Sequence, residues 1–182
     1  MYIFIDTEFT NLGGDQLPGL ISIGLVAEGG AECYVELNDF DLGACSDFVI
    51  NSVLPLRTGP ALPSDGACDV VWDFLSGLQD ENLVLVHDYY VDLELCLQLL
   101  GRKHGADEVK RLITGQRSVR TEQTTAAFVE AQSRFAQTPG FVLHHALHDA
   151  RALRAGWFGW QGAFDAKRQI VQGTTGNDVE SE

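Results

Sequence analysis

The first nine residues constrain this chain most, because an apolar run leads directly into two acidic side chains. Residues 2–6 predict a short buried β-strand. Asp6 and Glu8 end this run two residues apart, and on a strand both side chains would point to the same face. Their mutual repulsion would be relieved by water or by a cation. Carboxylate oxygens suit Mg²⁺ or Mn²⁺, so the pattern predicts a metal site, with a solvated strand end as the alternative.

A second acidic pair follows a later strand. Residues 82–86 predict that strand, and a helix is expected over residues 89–100. Open α/β sheets bind their ligands at the carboxyl ends of such strands. Asp88 is well placed to be the helix N-cap, whereas Asp92 lies too far into the helix to cap it. We therefore expect Asp92 to be the functional acid and Asp88 to be structural.

Three of the five histidines lie beside a third acid, where a helix over residues 146–164 is expected to begin: His144, His145, His148 and Asp149. Histidine can accept a proton near neutral pH. On a continuous helix His145 would share a face with Asp149. His144 could reach the same site from the preceding loop. Both histidines remain candidates, and exposed imidazoles on an ordinary helical turn are the alternative.

The rest of the pattern predicts a mixed α/β domain over residues 1–170. Strands are expected at residues 20–27 and 31–37, which with the first strand form an antiparallel meander. Three further helices are expected. Two of them cover residues 48–54 and residues 121–137. The third would begin at an N-cap at Ser64 or Asp65, with Val70 among its apolar positions. Residues 102–120 have no clear pattern, and residues 171–182 are expected to be a disordered acidic tail.

Charge and composition narrow the possible functions. The formal net charge of −14 argues against tight, non-specific binding to long nucleic acid. No apolar run approaches the ~20 residues of a membrane span, and the first residues lack signal-peptide features, so a cytoplasmic location is expected. The cysteines form no Cys-x-x-Cys pair, which argues against a cysteine zinc site. Buried free thiols are expected at all four positions: Cys33, Cys45, Cys68 and Cys96.

Taken in order, the three acidic clusters resemble the motifs of the DEDDh 3′–5′ exonucleases. Asp6-Thr7-Glu8 is similar to their first motif. Residues 87–92 resemble the second, usually His-Asn-x-x-Phe-Asp, with Asp88 in place of asparagine and Val91 in place of the aromatic residue. Residues 144–150 resemble the third, His-x-Ala-Leu-x-Asp-Ala. The resemblance spans about residues 1–160 and is closest to small single-domain bacterial and phage exoribonucleases.

This resemblance implies a fold and a chemistry. The fold would be α/β, a ribonuclease-H-like mixed sheet with antiparallel strands 1–3 plus parallel strands, and with helices packed on it. Two ions, Mg²⁺ or Mn²⁺, would lie about 3.5–4 Å apart. Asp6 would bridge both ions, Glu8 and Asp149 would complete one shell, and Asp92 would contact the other ion. His144, at the motif position, would be the general base.

The implied reaction releases nucleoside 5′-monophosphates from single-stranded RNA or from short 3′ overhangs, and a homodimer is expected by analogy. A DNA exonuclease, a ribonuclease-H-like endonuclease and a catalytically inactive binding module are the alternatives. Thr7, Phe9 and Thr10 are candidates to bind the terminal nucleotide, although Phe9 could equally be a core residue. Two further sets have other expected roles. A solvated surface is expected for the basic residues, with phosphate contacts as the alternative: Lys110, Arg117 and Arg120. A core position is expected for the aromatic residues, with tail packing or an interface as the alternatives: Trp157, Phe158 and Trp160.

Overall fold

The computed structural model describes residues 1–12, 17–78 and 82–174, with side chains described as far as residue 168. Its strands are β1 Tyr2–Phe9, β2 Leu20–Ala27, β3 Glu32–Leu37, β4 Ala61–Leu62, β5 Leu83–His87 and β6 Ile113–Ser118. Its α-helices are α1 Ser64–Gly77, α2 Tyr90–Leu100, α3 Ala106–Leu112, α4 Ala126–Ala136 and α5 Ala146–Thr174. Shorter helical turns occupy Leu42–Ala44, Val49–Val53, Leu54–Leu56 and Glu122–Thr124.

The described strands form one mixed sheet in the order β4-β3-β2-β1-β5-β6. Strands β1, β2 and β3 pair antiparallel, which confirms the predicted meander. Strand β5 pairs parallel to β1, and β6 pairs parallel to β5. The predicted α/β class is therefore confirmed, and the arrangement is consistent with a ribonuclease-H-like fold. The carboxyl ends of β1 and β5 lie side by side, which brings the residues after them to one edge of the sheet.

Helices cover both faces of the sheet because the buried strands alternate apolar side chains between the two faces. Ile3 and Ile5 point into the larger core, beneath α1 and α2. Phe4 points the other way, into a second core with Trp157 of α5. Trp157 is thus a core residue as predicted, and Trp160 packs against the same cluster. Phe158 is 37% exposed, so the core prediction is wrong for that residue.

The predicted start of α1 needs a correction. Neither Ser64 nor Asp65 caps the helix; the N-cap residue is Pro63, which provides no side-chain cap. The Ser64 backbone N–H and hydroxyl instead donate to the carboxylate of Asp39, at 2.9 and 2.8 Å. A distant carboxylate thus satisfies the first turn, which no local pattern indicates. Val70, expected on the apolar face, is 40% exposed.

The segment without a clear pattern, residues 102–120, contains α3 and the edge strand β6. Strand β6 is largely polar and only partly buried, so it lacks the apolar signal of the inner strands. The helix predicted at residues 121–137 begins only at Ala126, where the Thr125 hydroxyl accepts from the Phe128 N–H. Helix α5 continues to Thr174, beyond the predicted end, and residues 175–182 of the predicted tail lie outside the described residues.

All four cysteines are free thiols. Cys33, Cys68 and Cys96 are buried as expected, whereas Cys45 is only partly buried, because it lies in the turn region after β3. Within the described ranges, no helix combines the length and the apolar character needed to cross a membrane.

Candidate functional site

A pocket of about 440 Å³ opens where β1 and β5 end. The acids and the histidine that line it come from three separate parts of the chain: Asp6 and Glu8 at the end of β1, Asp88 and Asp92 after β5, and His144 and Asp149 at the start of α5. The structure therefore brings together every acid of the predicted site, the predicted histidine, and one acid that was expected to be structural.

The ligand atoms in this pocket fall into two groups of three. Glu8, His144 and Asp149 form one group, and Asp6, Asp88 and Asp92 form the other. Within each group the ligand atoms lie within 4.8 Å of one another. Five carboxylates and one imidazole form a donor set of mainly hard oxygen atoms, which suits Mg²⁺ or Mn²⁺. No lysine or arginine is among the described residues that line the pocket.

Close packing of α5 on the sheet makes this convergence possible. Gly24 of β2 pairs with Asp6 of β1 in the antiparallel ladder. A Cβ atom at Gly24 would lie 2.4 Å from the Leu147 backbone nitrogen and 2.5 Å from the Ala146 carbonyl carbon. Only glycine allows the first turn of α5 to come this close to the strand. Asp149 lies in this same first turn of α5.

Asp92 is held from the neighbouring strand. It lies in the first turn of α2, and its side chain is 2% exposed. Its Oδ1 accepts hydrogen bonds from the Thr7 hydroxyl at 2.7 Å and from the Thr7 backbone N–H at 3.2 Å. Thr7 lies between Asp6 and Glu8, so β1 both carries two acids of the pocket and orients a third. The Asp92 Oδ2 atom makes none of these bonds.

His144 reaches the pocket from the loop before α5, with an unusual backbone conformation. Its φ of 63° is positive, which is uncommon for a residue other than glycine. In this conformation the His144 backbone N–H donates to Asp149 Oδ2 at 2.8 Å. The imidazole meets the Phe48 ring edge-on, with ring centroids 4.9 Å apart.

His145 and His148 do not line this pocket. The His145 ring stacks between Tyr34 and His148, with ring centroids 4.4 and 4.5 Å apart. Burial lowers the pKa of both histidines. The His145 Nδ1 is buried and has no hydrogen-bond partner in the described structure, and His148 Nδ1 accepts from the Val142 N–H. Of the two histidines that the sequence left open, His144 is the one at the pocket.

Burial and mutual repulsion raise the pKa of four pocket carboxyl groups when no cation is present. Burial, followed by the charges of Asp92 and Asp149, raises the pKa of Asp6 well above its usual value. Burial likewise raises the pKa of Glu8 to about 8, that of Asp92 to about 7 and that of Asp149 to about 6. A bound divalent cation would replace these protons and stabilise the ionised carboxylates.

Two sequence predictions around the pocket need correction. Asp88 is not a helix cap, because α2 begins at Tyr90 after Tyr89, and the Asp88 side chain lines the pocket. Thr10 is only 1% exposed, and its hydroxyl accepts from the Gly19 N–H, so it is not available to a nucleotide. Thr7 lines the pocket but is 4% exposed, and its hydroxyl is hydrogen-bonded to Asp92, so its side chain positions an acid.

The remaining residues predicted to contact substrate differ in whether they line the pocket. Phe9 lines the pocket and stacks on Tyr89, with ring centroids 6.4 Å apart, so it is both packed and accessible. Arg117 bonds Glu122 at 2.7 Å and lies over the Trp157 ring, so it is not free to bind a phosphate there. Lys110 and Arg120 are exposed and are not among the described residues that line the pocket.

Sequence reasoning missed the apolar wall of the pocket. Leu12, Phe48, Val49 and Val53 contribute to it, and the last three belong to the segment predicted only as a short helix. Phe48 is 53% exposed and Leu12 is 78% exposed. Sequence reasoning also missed Asp88 as a pocket residue, because an aspartate just before a helix most often caps it.

A search of protein-family models and a search of curated proteins both return no match to this sequence. Any functional conclusion therefore depends on the chemistry of the pocket itself.

Proposed function

We propose that this chain is a metal-dependent 3′–5′ exonuclease of the DEDDh class, releasing nucleoside 5′-monophosphates from single-stranded RNA or short 3′ overhangs. One observation carries the proposal: four acids from three distant parts of the chain meet at one pocket with a histidine beside them. These residues are Asp6, Glu8, Asp92, Asp149 and His144. They are also the residues whose sequence motifs resemble that class.

The donor set fits a pair of divalent ions, with Asp6 and Asp92 offering oxygens on one side and Glu8 and Asp149 on the other. When bound, such ions would lower the pKa of an attacking water and stabilise the leaving 3′-oxygen. His144 is positioned to take the proton of that water, because it lies in the group with Glu8 and Asp149. Thr7 keeps Asp92 oriented towards Asp6 through its two hydrogen bonds.

The apolar wall supports a substrate with an exposed base. Phe9, Leu12 and Phe48 line the same pocket as the acids. Aromatic faces bind unpaired bases by stacking, which does not depend on the base sequence. The net charge of −14 and a described lining without lysine or arginine favour short or single-stranded ends over long duplex. The preference for RNA, a homodimeric state and a cytoplasmic location are parts of the same proposal.

A nucleotide-release assay tests it directly. The parent protein, Asp6→Asn, His144→Ala and the exposed control Asp73→Asn would be incubated with matched RNA and DNA oligonucleotides and Mg²⁺ or Mn²⁺. We expect 5′-monophosphates from the parent and from the control. Asp6→Asn should be inactive, and His144→Ala should be slower by about 10²–10⁴-fold.

Two further arms separate the alternatives. A 3′-blocked oligonucleotide should resist the proposed exonuclease but would still be cut by an endonuclease. Faster digestion of DNA than of RNA would replace the proposed substrate while leaving the site intact. An inactive parent under all metal conditions, or full activity of Asp6→Asn, would contradict the proposed function.

A further inference from the structure

Asp88 is neither a helix cap nor an exposed surface residue. It follows directly after β5, and its carboxylate lines the acidic pocket while being only partly buried. A ligand oxygen of Asp88 lies within 4.8 Å of ligand oxygens of both Asp6 and Asp92. Three carboxylates at that separation repel one another when ionised, and no lysine or arginine is among the described residues that line the pocket.

The surrounding structure fixes this carboxylate. A hydrogen bond of 3.0 Å joins His87 Nδ1 to the Tyr89 carbonyl oxygen and thus spans Asp88. The Val119 N–H donates to the His87 carbonyl, which ties the same turn to the segment after β6. On the far side, the Gln123 side-chain N–H donates to Asp88 Oδ2 at 3.2 Å. Asp88 is therefore held in the pocket by bonds that leave its Oδ1 without a described donor.

We infer that Asp88 is a fifth carboxylate ligand of the bound divalent cations, on the side of Asp6 and Asp92, with Gln123 as the residue that positions it. This inference rests on the proposed function, since it concerns the same metal site. Two of the three acids on this side are held through one oxygen each, Asp92 Oδ1 by Thr7 and Asp88 Oδ2 by Gln123. Each retains a second oxygen for an ion, which is the arrangement that second-sphere hydrogen bonds give to metal-binding carboxylates.

The electrostatics of the pocket agree with this assignment. Burial is the main cause of the raised pKa values of Asp6, Asp92 and Asp149, and the charge of Asp88 raises all three further. The charge of Asp88 is thus close enough to raise the pKa of acids in both ligand groups. Removing its charge should therefore relieve repulsion in the metal-free protein and weaken cation binding.

Metal binding measured without any nuclease assay tests the inference. Mn²⁺ would be titrated calorimetrically into the full-length parent, Asp88→Asn, Gln123→Leu, Asp6→Asn and Asp73→Asn. Asp88→Asn keeps the shape of the side chain and an oxygen for the Gln123 bond while removing the charge. Asp73→Asn makes the same charge change at an exposed position on α1 and serves as the matched control.

We expect Asp88→Asn to weaken Mn²⁺ binding about tenfold or more, and Gln123→Leu to weaken it by a smaller factor, as ligand and second-sphere changes do. Asp73→Asn should bind as the parent does. The melting temperature of Asp88→Asn without metal should equal or exceed that of the parent, which would also show that the variant folds. Should Asp88→Asn fail to fold, an unchanged Mn²⁺ affinity of Gln123→Leu would overturn the inference, and a weakened one would support it.

The outcomes separate the two proposals. Parent-like Mn²⁺ affinity in folded Asp88→Asn, together with lost affinity in Asp6→Asn, would overturn the role of Asp88 and leave the proposed function standing. Absence of Mn²⁺ binding in the parent would overturn both.

Discussion

The Thr7 hydroxyl donates to Asp92 Oδ1 at 2.7 Å, across 85 positions of sequence, and the Thr7 backbone N–H donates to the same oxygen. Both residues are buried. This pair connects the end of β1 to the first turn of α2, and so fixes one acid of the pocket relative to two others. Its hydrogen bonds lower the pKa of Asp92, opposing the larger effect of burial, which raises it to about 7.

Thr7→Val tests this connection. Loss of the hydroxyl leaves a buried carboxylate with fewer donors, which should reduce stability by about 1–3 kcal/mol. The pKa of Asp92 should rise further, so metal affinity should fall near neutral pH and partly recover at higher pH. Denaturant unfolding and metal titrations at several pH values measure both effects. Thr7→Ser retains the hydroxyl and should behave like the parent; equal losses in the two variants would contradict the role of the hydrogen bond.

Stability without metal should depend on pH in a direction set by the raised pKa values. Glu8 has a folded-state pKa of about 8, whereas an unfolded glutamate titrates near about 4.3. Between these values the folded protein binds more protons than the unfolded chain, so the Glu8 contribution to stability falls as pH rises. Chelator-treated Glu8→Gln should therefore become increasingly stable relative to the parent from about pH 5 to about pH 8.

Thermal melting of the parent and Glu8→Gln across this pH range measures the difference, and one further series with metal is needed. Burial lowers the pKa of His145 and His148, and this contributes a rise of stability with pH near neutrality, which is why the difference between parent and variant is the informative quantity. Added Mg²⁺ should stabilise the parent more at the alkaline end, where the carboxylates are ionised, and should stabilise Glu8→Gln less. A constant difference between the two proteins across this range would contradict the raised pKa of Glu8.

Gly24→Ala should disturb the site from the neighbouring strand. The added methyl group would lie 2.4 Å from the Leu147 backbone nitrogen, so the first turn of α5 would have to move. Overpacking of this kind destabilises proteins by about 1–3 kcal/mol. We also expect reduced metal affinity, because Asp149 moves with the helix. Gly29→Ala, at a position where a Cβ atom meets nothing within 4 Å, is the control; equal stability of the two variants would contradict the close contact.

Phe48→Ala should weaken substrate binding while leaving the fold intact. Phe48 is 53% exposed at the pocket, and Ile50, nearby in the same helical segment, is 44% exposed but is not among the described lining residues. Loss of base stacking is worth about 1–3 kcal/mol per base, or roughly 5–150-fold in affinity. The dissociation constant of a phosphorothioate oligonucleotide would be compared for Phe48→Ala, Ile50→Ala and the parent. Unchanged affinity in Phe48→Ala would remove this residue from the substrate site.

Local patterns were sufficient for the inner part of the sheet. Strands β1, β2 and β5 begin with or consist of apolar runs of strand length, and β3 alternates apolar with polar residues, so local patterns predict all four. Strand β6 is different, because Thr114, Gln116 and Ser118 alternate with only partly buried residues at an edge. Its pairing with β5 is a non-local contact, and no pattern within residues 102–120 indicates it.

Local patterns likewise predicted only part of the candidate site. The spacing of Asp6 and Glu8 on a strand places both on one face, whatever the rest of the fold. The role of Asp88 was not predictable, since an aspartate before a helix most often caps it. Only the Gln123 bond and the proximity of Asp6 and Asp92 distinguish the two roles, and both depend on how β5, β6 and β1 are arranged.

The sequence by itself determined which strands are buried and which acids follow them, because strand period and hydrophobic burial act over a few residues. Residue spacing left His144 and His145 both open and the motif resemblance favoured His144, but only the tertiary structure places the His144 ring beside the acids. His144 and His145 are adjacent, and a positive φ at His144 turns its ring into the pocket while His145 stacks on Tyr34. That choice depends on the hydrogen bond from the His144 N–H to Asp149 and on contacts between distant strands and helices, which no short stretch of sequence contains.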